Sequence, residues 1–207
     1  MQETIEQNME QSILERAERL FLEKGFEATS TTQIAKAVGC NQALVHYYFR
    51  TKDNLFNTIF ETRFRRFFQQ IFDTTYLSPL SFTDKIKHII ESHLDMLMAE
   101  PLMLRLIMNE FSRRPERIEV LKEKLHAVPE QLYTLMDAEI KAEIQAGRIR
   151  NVSFIELIIA IVSLNVGLVV IFPIAADVLG MSPQQRNFMI TQRKEENVKI
   201  ILGYLRS

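Results

Sequence analysis

At 207 residues and 47 % hydrophobic, the chain has length for one large domain or a small head on a larger body, with ample material for a core. Its single cysteine excludes a disulfide framework and fits a reducing interior. A net charge of −1 excludes a uniformly basic nucleic-acid binder, so any affinity for DNA has to come from local charge. That charge is uneven. Residues 1–27 hold seven Glu against Arg16, Arg19 and Lys24, whereas residues 28–66 hold Lys36, Arg50, Lys52, Arg63, Arg65 and Arg66 against Asp53 and Glu61. The opening MQETIEQNMEQ is polar and acidic, which does not suit a signal peptide, and a cytoplasmic location is expected.

In chain order, Ile13 to Lys24 is predicted helical with Ala17, Leu20 and Phe21 inward. Ser30 with Gln33 three places on is a capping box that starts a second helix, buried through Ile34, Ala35 and Val38. Gly39 stops that helix, because glycine enters the left-handed region without steric cost. Asn41 can cap a third, with Leu44, Val45 and Tyr48 on its packing side and Gln42, Ala43, His46 and Tyr47 facing outward. Two short helices joined by a tight glycine turn form a helix-turn-helix unit, whose second helix lies in the DNA major groove.

The remainder reads as helix, and no run of alternating residues supports a strand. Asp53 to about Phe72 carries Leu55, Phe56, Ile59 and Phe60 at helical spacing, and Ser78-Pro79 breaks it. Thr83 to Ala99 follows, with Ile86, Ile89, Ile90, His93, Leu94 and Leu97 inward. Leu102 to Phe111 stops at Arg113-Arg114-Pro115. Glu116 to Ala146 is expected to be interrupted or kinked near Pro129 and closed by Gly147, and Val152 to Phe172 and Gln184 to Leu205 complete the set. The fold class is all-α: a three-helix head over residues 1–52 and a larger helical body over residues 53–207.

The 19 residues from Phe154 to Phe172 carry one formal charge, Glu156, so a membrane-tethered helix-turn-helix protein is the alternative reading. Glu156 and Asn165 fall on opposite faces at about 100° per residue, so no polar stripe exists and the helix needs cover on every side. A buried helix that also forms a subunit interface meets that need without lipid. Catalysis is not expected, because phosphate-loop, nucleophile-elbow and His-Glu-x-x-His patterns are all missing. His88, His93 and His126 lack the spacing of metal ligands, and neither metal nor cofactor is expected. His93 lies on the apolar side of its helix, where it could hydrogen-bond a small molecule.

The run Gly25-Phe26-x-Ala28-Thr29-Ser30-x-x-x-Ile34-Ala35-x-x-x-Gly39, followed by Tyr47-Tyr48-Phe49-x-x-Lys52-x-x-Leu55, resembles the N-terminal signature of the tetracycline-repressor (TetR) family. The chain departs from that pattern at His46, where the family most often has tyrosine, which leaves base preference there open. Cys40 stands where the family has a small residue, and packing in the turn is its expected role. The resemblance implies a homodimeric regulator, a repressor of a palindromic operator, released by a small effector bound inside the helical body. Gln42 and Ala43, with Asn41, would read bases, and Thr31, His46, Tyr47 and Lys52 would grip the backbone. An apolar or aromatic effector would meet Phe64, Phe68, His93, Met96, Met103, Phe111 and Met136, methionine being adaptable to irregular ligands. The last two long helices would pair with their symmetry mates through Leu157, Ile161, Leu164 and Leu168 and through Val198, Ile201, Leu202 and Leu205. Expected partners are therefore double-stranded DNA, a second copy and an unknown effector, with no membrane.

Overall fold

The computed structural model describes residues 2–76, 80–119 and 127–206, and among these residues the regular structure is helical. Its helices are α1 (Gln2–Lys24), α2 (Thr31–Val38), α3 (Gln42–Phe49), α4 (Lys52–Tyr76), α5 (Phe82–Ala99), α6 (Pro101–Arg113), α7 (Ala127–Gln145), α8 (Phe154–Val178) and α9 (Pro183–Leu205). The break expected at Ser78-Pro79, the course of residues 120–126 and His126 lie outside the described residues.

The chain packs as two units, Met1–Arg66 with Leu102–His126 and Phe67–Pro101 with Ala127–Ser207. The head expected to end at residue 52 thus takes in the first part of α4 and α6. The reason is apolar: Leu55, Phe56 and Ile59 of α4 and Met103 and Leu106 of α6 are buried in one core with Ile13, Ala17, Phe21, Phe26, Ile34 and Val45. Phe21, Phe26 and Phe56 meet there at ring separations of 5.2–5.7 Å.

The second unit buries Ile86, Ile89 and Ile90 of α5 and Met136 and Ile140 of α7. Leu157 and Ile161 of α8 and Val198, Ile201 and Leu205 of α9 complete the same core. Its helices start on legible caps. Ser81, Ser153 and Ser182 each accept the N–H of the residue three places on, and α9 has Pro183 in its first turn. Pro129 is the third residue of α7, within the first turn, where the missing N–H costs little. Pro173, by contrast, does not end α8. The helix runs through it to Val178 and is anchored beyond it by the fully buried Ala176.

Two expectations for α8 change. Glu156 is not a charge in an apolar wall but the N3 partner of Ser153, whose backbone N–H donates to Glu156 Oε2 at 2.8 Å. That hydrogen bond holds the Glu156 carboxyl below the usual carboxylate range. Nor does the chain cover α8 on every side. Leu157, Ile161, Asn165 and Ala176 are buried, while Ile155, Ile159, Val162, Ile171, Ile174 and Val178 are exposed, Ile159 by 59 %.

Candidate nucleic-acid interface

The reading head is built by three local devices. Ser30 Oγ accepts the Gln33 N–H at 3.2 Å and Gln33 Oε1 accepts the Ser30 N–H at 3.0 Å, closing the capping box of α2. Gly39 ends α2 at φ 83°, with its N–H donating to the Ala35 carbonyl. Asn41 Oδ1 accepts the Leu44 N–H at 2.8 Å and so starts α3. Cys40 in this turn is half-buried against the head core.

Along α3, Val45 and Phe49 are buried and Leu44 and Tyr48 half-buried, so Gln42, Ala43, His46 and Tyr47 share the exposed side. Asn41 spends one acceptor lone pair on the cap, which leaves the other and its two amide N–H groups for a base. Thr31 and Gln42 are already joined, Gln42 Nε2 donating to Thr31 Oγ1 at 3.0 Å. Tyr47 is 63 % exposed and lies edge-on to Tyr48.

His46 is more constrained than its exposure suggests. Its Nδ1 lies 2.7 Å from the Arg50 carbonyl, which can only accept, so Nδ1 carries a proton. In the neutral ring Nε2 is then an acceptor, and it donates to a phosphate only as imidazolium. Arg50 returns the contact, its N–H donating to the His46 carbonyl at 2.9 Å. That reciprocal pair holds Arg50 at φ 62°, a left-handed conformation that a non-glycine residue adopts at a cost.

Lys52 has a different occupation from the one expected. Its Nζ donates to the carbonyls of Phe26 and Thr29 at 2.9 and 3.0 Å and stands 4.2 Å over the Phe26 ring. Two of its three N–H donors therefore hold the connection between α1 and α2, because carbonyls packed this close supply the partners an ammonium needs. Arg63 is bidentate on Glu18, and Arg65 pairs with Glu61. Three of the six cations between residues 28 and 66 thus have partners within the chain, Arg65 from an exposed position, while Lys36, Arg50 and Arg66 are exposed.

Sequence reading missed a set of long-range pairs within the head. Arg117, 5 % exposed, donates to Asp53 Oδ1 at 2.6 Å and lies over the Phe26 and Phe56 rings. Arg114 reaches the same oxygen at 3.0 Å and also pairs with Glu27. These partners are 61 to 87 residues apart, so no local pattern signals them.

The residues expected around an effector divide between the units. In the first, Met103 is core, and Phe64 and Phe111 are half-buried against Phe60 at 4.4 and 5.1 Å. In the second, Met136 is core at 1 % exposure, while Phe68, His93 and Met96 are half-buried. Met103 and Met136 have their side chains enclosed by their own units. His93 has desolvation lowering its pKa to about 4, so it is neutral at pH 7. Its Nδ1 faces Asn165 Nδ2 at 3.1 Å and accepts from it, which puts the ring proton on Nε2. Asn165 Nδ2 also donates to the Ile90 carbonyl, and Asn165 Oδ1 accepts from Asn197.

Of the eight positions expected at a subunit interface, five are buried within this chain and three are half-buried. Leu157, Ile161, Val198, Ile201 and Leu205 lie in this chain's own core, and Leu164 and Leu202 pack half-buried against it, with Leu168 half-buried as well. Helical spacing identifies a stripe that will be covered, not what covers it. Exposed apolar side chains lie on the other side of α8, at Ile155, Ile159 and Val162 among others, and on α9 at Phe188, Met189 and Ile200.

Comparison with known proteins agrees with this geometry. Residues 13–59 match the family model for bacterial regulatory proteins of the tetR family. The fatty acid metabolism regulator protein of Bacillus subtilis (strain 168) is 20 % identical over 139 residues, 67 % of this chain and 70 % of that protein. The HTH-type transcriptional regulator AcrR of Shigella flexneri is 40 % identical over 55 residues, 27 % of this chain and 26 % of AcrR, about a quarter of that relative's length. In fold, the chain is similar to the crystal structure of a TetR family transcription regulator from Marinobacter aquaeolei VT8, with a TM-score of 0.69 at 16 % identity over 100 % of both chains.

Proposed function

We propose that this chain, a TetR-family transcriptional regulator by its residues 13–59, is a cytoplasmic repressor that binds a palindromic operator as a homodimer and leaves it when a small apolar or aromatic effector binds. The observation that carries the reading is the two-sidedness of α3. Val45 and Phe49 fix the helix in the head, and Gln42, Ala43, His46 and Tyr47 stand outward on one side of a capped, eight-residue helix suited to the major groove. Gln42 reads a base, Ala43 lets the backbone approach or touches a thymine methyl, and Thr31 and Tyr47 contact phosphates. A single head reads one half-site, and a two-fold dimer presents two recognition helices to a palindrome.

The dimer face in this proposal is the exposed side of α8 and α9, around Ile155, Ile159, Val162 and Phe188. The apolar effector is supported by Phe68, His93 and Met96, which are half-buried in the helical unit, and agrees with a Bacillus subtilis relative named for fatty acid metabolism.

A membrane-tethered reading is not favoured, although α8 is long and apolar enough to cross a bilayer. Asn165, midway along it, is fully buried and hydrogen-bonded to α5 and α9. A span in lipid would have to abandon those partners.

The test is selection of bound sites from randomised duplex DNA by the full-length protein. Two inverted half-sites are expected, and Gln42→Ala should relax preference at one position in each, a bidentate pair being worth about 1–3 kcal/mol of discrimination. An unchanged profile in Gln42→Ala refutes base reading by Gln42.

A further inference from the structure

The first two residues of α2 and the first residue of α3 are joined by side chains. Thr32 Oγ1 donates to Gln42 Oε1 at 3.0 Å, and Gln42 Nε2 donates to Thr31 Oγ1 at 3.0 Å. A primary amide has two N–H donors and two acceptor lone pairs, and these bonds spend one of each. One N–H and one lone pair remain. Adenine asks for that pair in the major groove, since its N7 accepts and its N6 amino group donates, whereas guanine offers acceptors at both N7 and O6.

The order of the two ends decides between them. A glutamine free to turn over can aim its N–H at guanine as readily as at adenine. With Oε1 held on Thr32 and Nε2 on Thr31, an oxygen lone pair faces the position of the base's exocyclic group, where the O6 of guanine repels it. The hydroxyls also have a direction. The Thr32 hydrogen is consumed by Gln42, whereas the Thr31 oxygen accepts from Gln42 and keeps its own hydrogen to donate. Thr31 opens a capped helix N-terminus, where an anionic oxygen is favoured.

We propose that Thr32 and Thr31 are specificity-determining positioning residues, which orient the Gln42 amide so that the protein prefers adenine over guanine at one position of each half-site. The inference rests on α3 being the recognition helix and on Gln42 reading a base there. In the free protein the three side chains are exposed or half-exposed and water competes for their bonds. Closing the groove over them removes that water and strengthens the orientation.

The experiment compares full-length wild type, Gln42→Ala, Thr32→Val, Thr32→Ser and the double variant Thr32→Val/Gln42→Ala on the same randomised duplex library. Far-UV circular dichroism confirms folding, and Thr32→Ala repeats the test if valine disturbs α2. Thr32→Val should lower the preference for adenine over guanine by about tenfold at the position that Gln42→Ala also relaxes, and leave the other positions unchanged. Thr32→Ser, which keeps the hydroxyl, should retain the wild-type preference, and Thr32→Val should add nothing in the Gln42→Ala background. A wild-type profile for Thr32→Val beside an altered one for Gln42→Ala overturns the positioning role and leaves base reading intact. A serine variant that behaves like valine overturns it too. If Gln42→Ala itself changes nothing, base reading falls and the positioning role falls with it.

Discussion

Replacing Lys52 by methionine should cost the head about 2 kcal/mol and leave the salt dependence of DNA binding unchanged. The figure follows from what Nζ touches: two carbonyls at 2.9 and 3.0 Å and the Phe26 ring at 4.2 Å. Losing hydrogen bonds from a charged donor costs about 1.5–3 kcal/mol each, and the ring contact adds about 0.5–1. Two features reduce that total. The side chain is half-exposed, so water can replace it, and the Phe26 carbonyl still accepts the Thr29 N–H at 3.2 Å. Methionine keeps most of the aliphatic stem, so packing changes little. For a chain of this length, about 2 kcal/mol lowers Tm by roughly 4–8 °C. The assay is thermal unfolding by circular dichroism, paired with operator titrations at several salt concentrations. A phosphate contact predicts the opposite pattern, an unchanged Tm and a salt slope reduced by about one. That pattern would refute the clamp.

Two further perturbations separate the second unit's roles. His93, with its pKa lowered from 6.5 to about 4, stays neutral in the folded protein while the unfolded chain takes up a proton. Its stability contribution is therefore complete above pH 6.5 and lost as pH falls to 4, by about 3 kcal/mol. Urea midpoints of wild type and His93→Gln should converge or cross by that amount over the window, and a pH-independent difference would exclude the linkage. Ile159→Glu places a carboxylate in the proposed subunit seam and should weaken dimerisation by more than about a hundredfold. Sedimentation reads this directly, and an unaltered dimer, or a wild type that is monomeric at micromolar concentration, removes α8 from the interface.

What could be read from sequence was what is decided within a few residues. The Ser30–Gln33 box, the Gly39 stop and the Asn41 cap each depend on groups three or four positions apart, and each stands where the residues indicated. Inward faces of α1, α2 and α5 were likewise legible, since helical spacing alone determines which side is apolar. Long-range pairing was not. Lys52 meets carbonyls 23 and 26 residues away, and Asp53 meets Arg117 across 64, distances at which no propensity operates. The α9 stripe shows a different limit. Val198, Ile201 and Leu205 are buried in this chain's own core and Leu202 packs half-buried against it, because an apolar face does not specify its partner. The helix expected to end at Phe172 runs on through Pro173 to Val178, its last turns held by the buried Ala176, a packing effect that no local pattern signals.

In the proposed dimer, the uncovered side of α8 ties the protein's lifetime to its abundance. A newly made chain displays Ile155, Ile159, Val162, Ile171 and Ile174 to water on a helix that meets the length and composition of a membrane span. Until the proposed partner copy covers it, that surface is open to other apolar contacts, and encounter between copies slows with the square of dilution. Mass action then makes folding and assembly one equilibrium. In that dimer, low expression leaves unpaired chains exposed to proteolysis and higher expression favours durable pairs. A protein that pairs in the proposed way measures its own concentration before it measures anything else, and the proposed repression then rises more steeply than synthesis does.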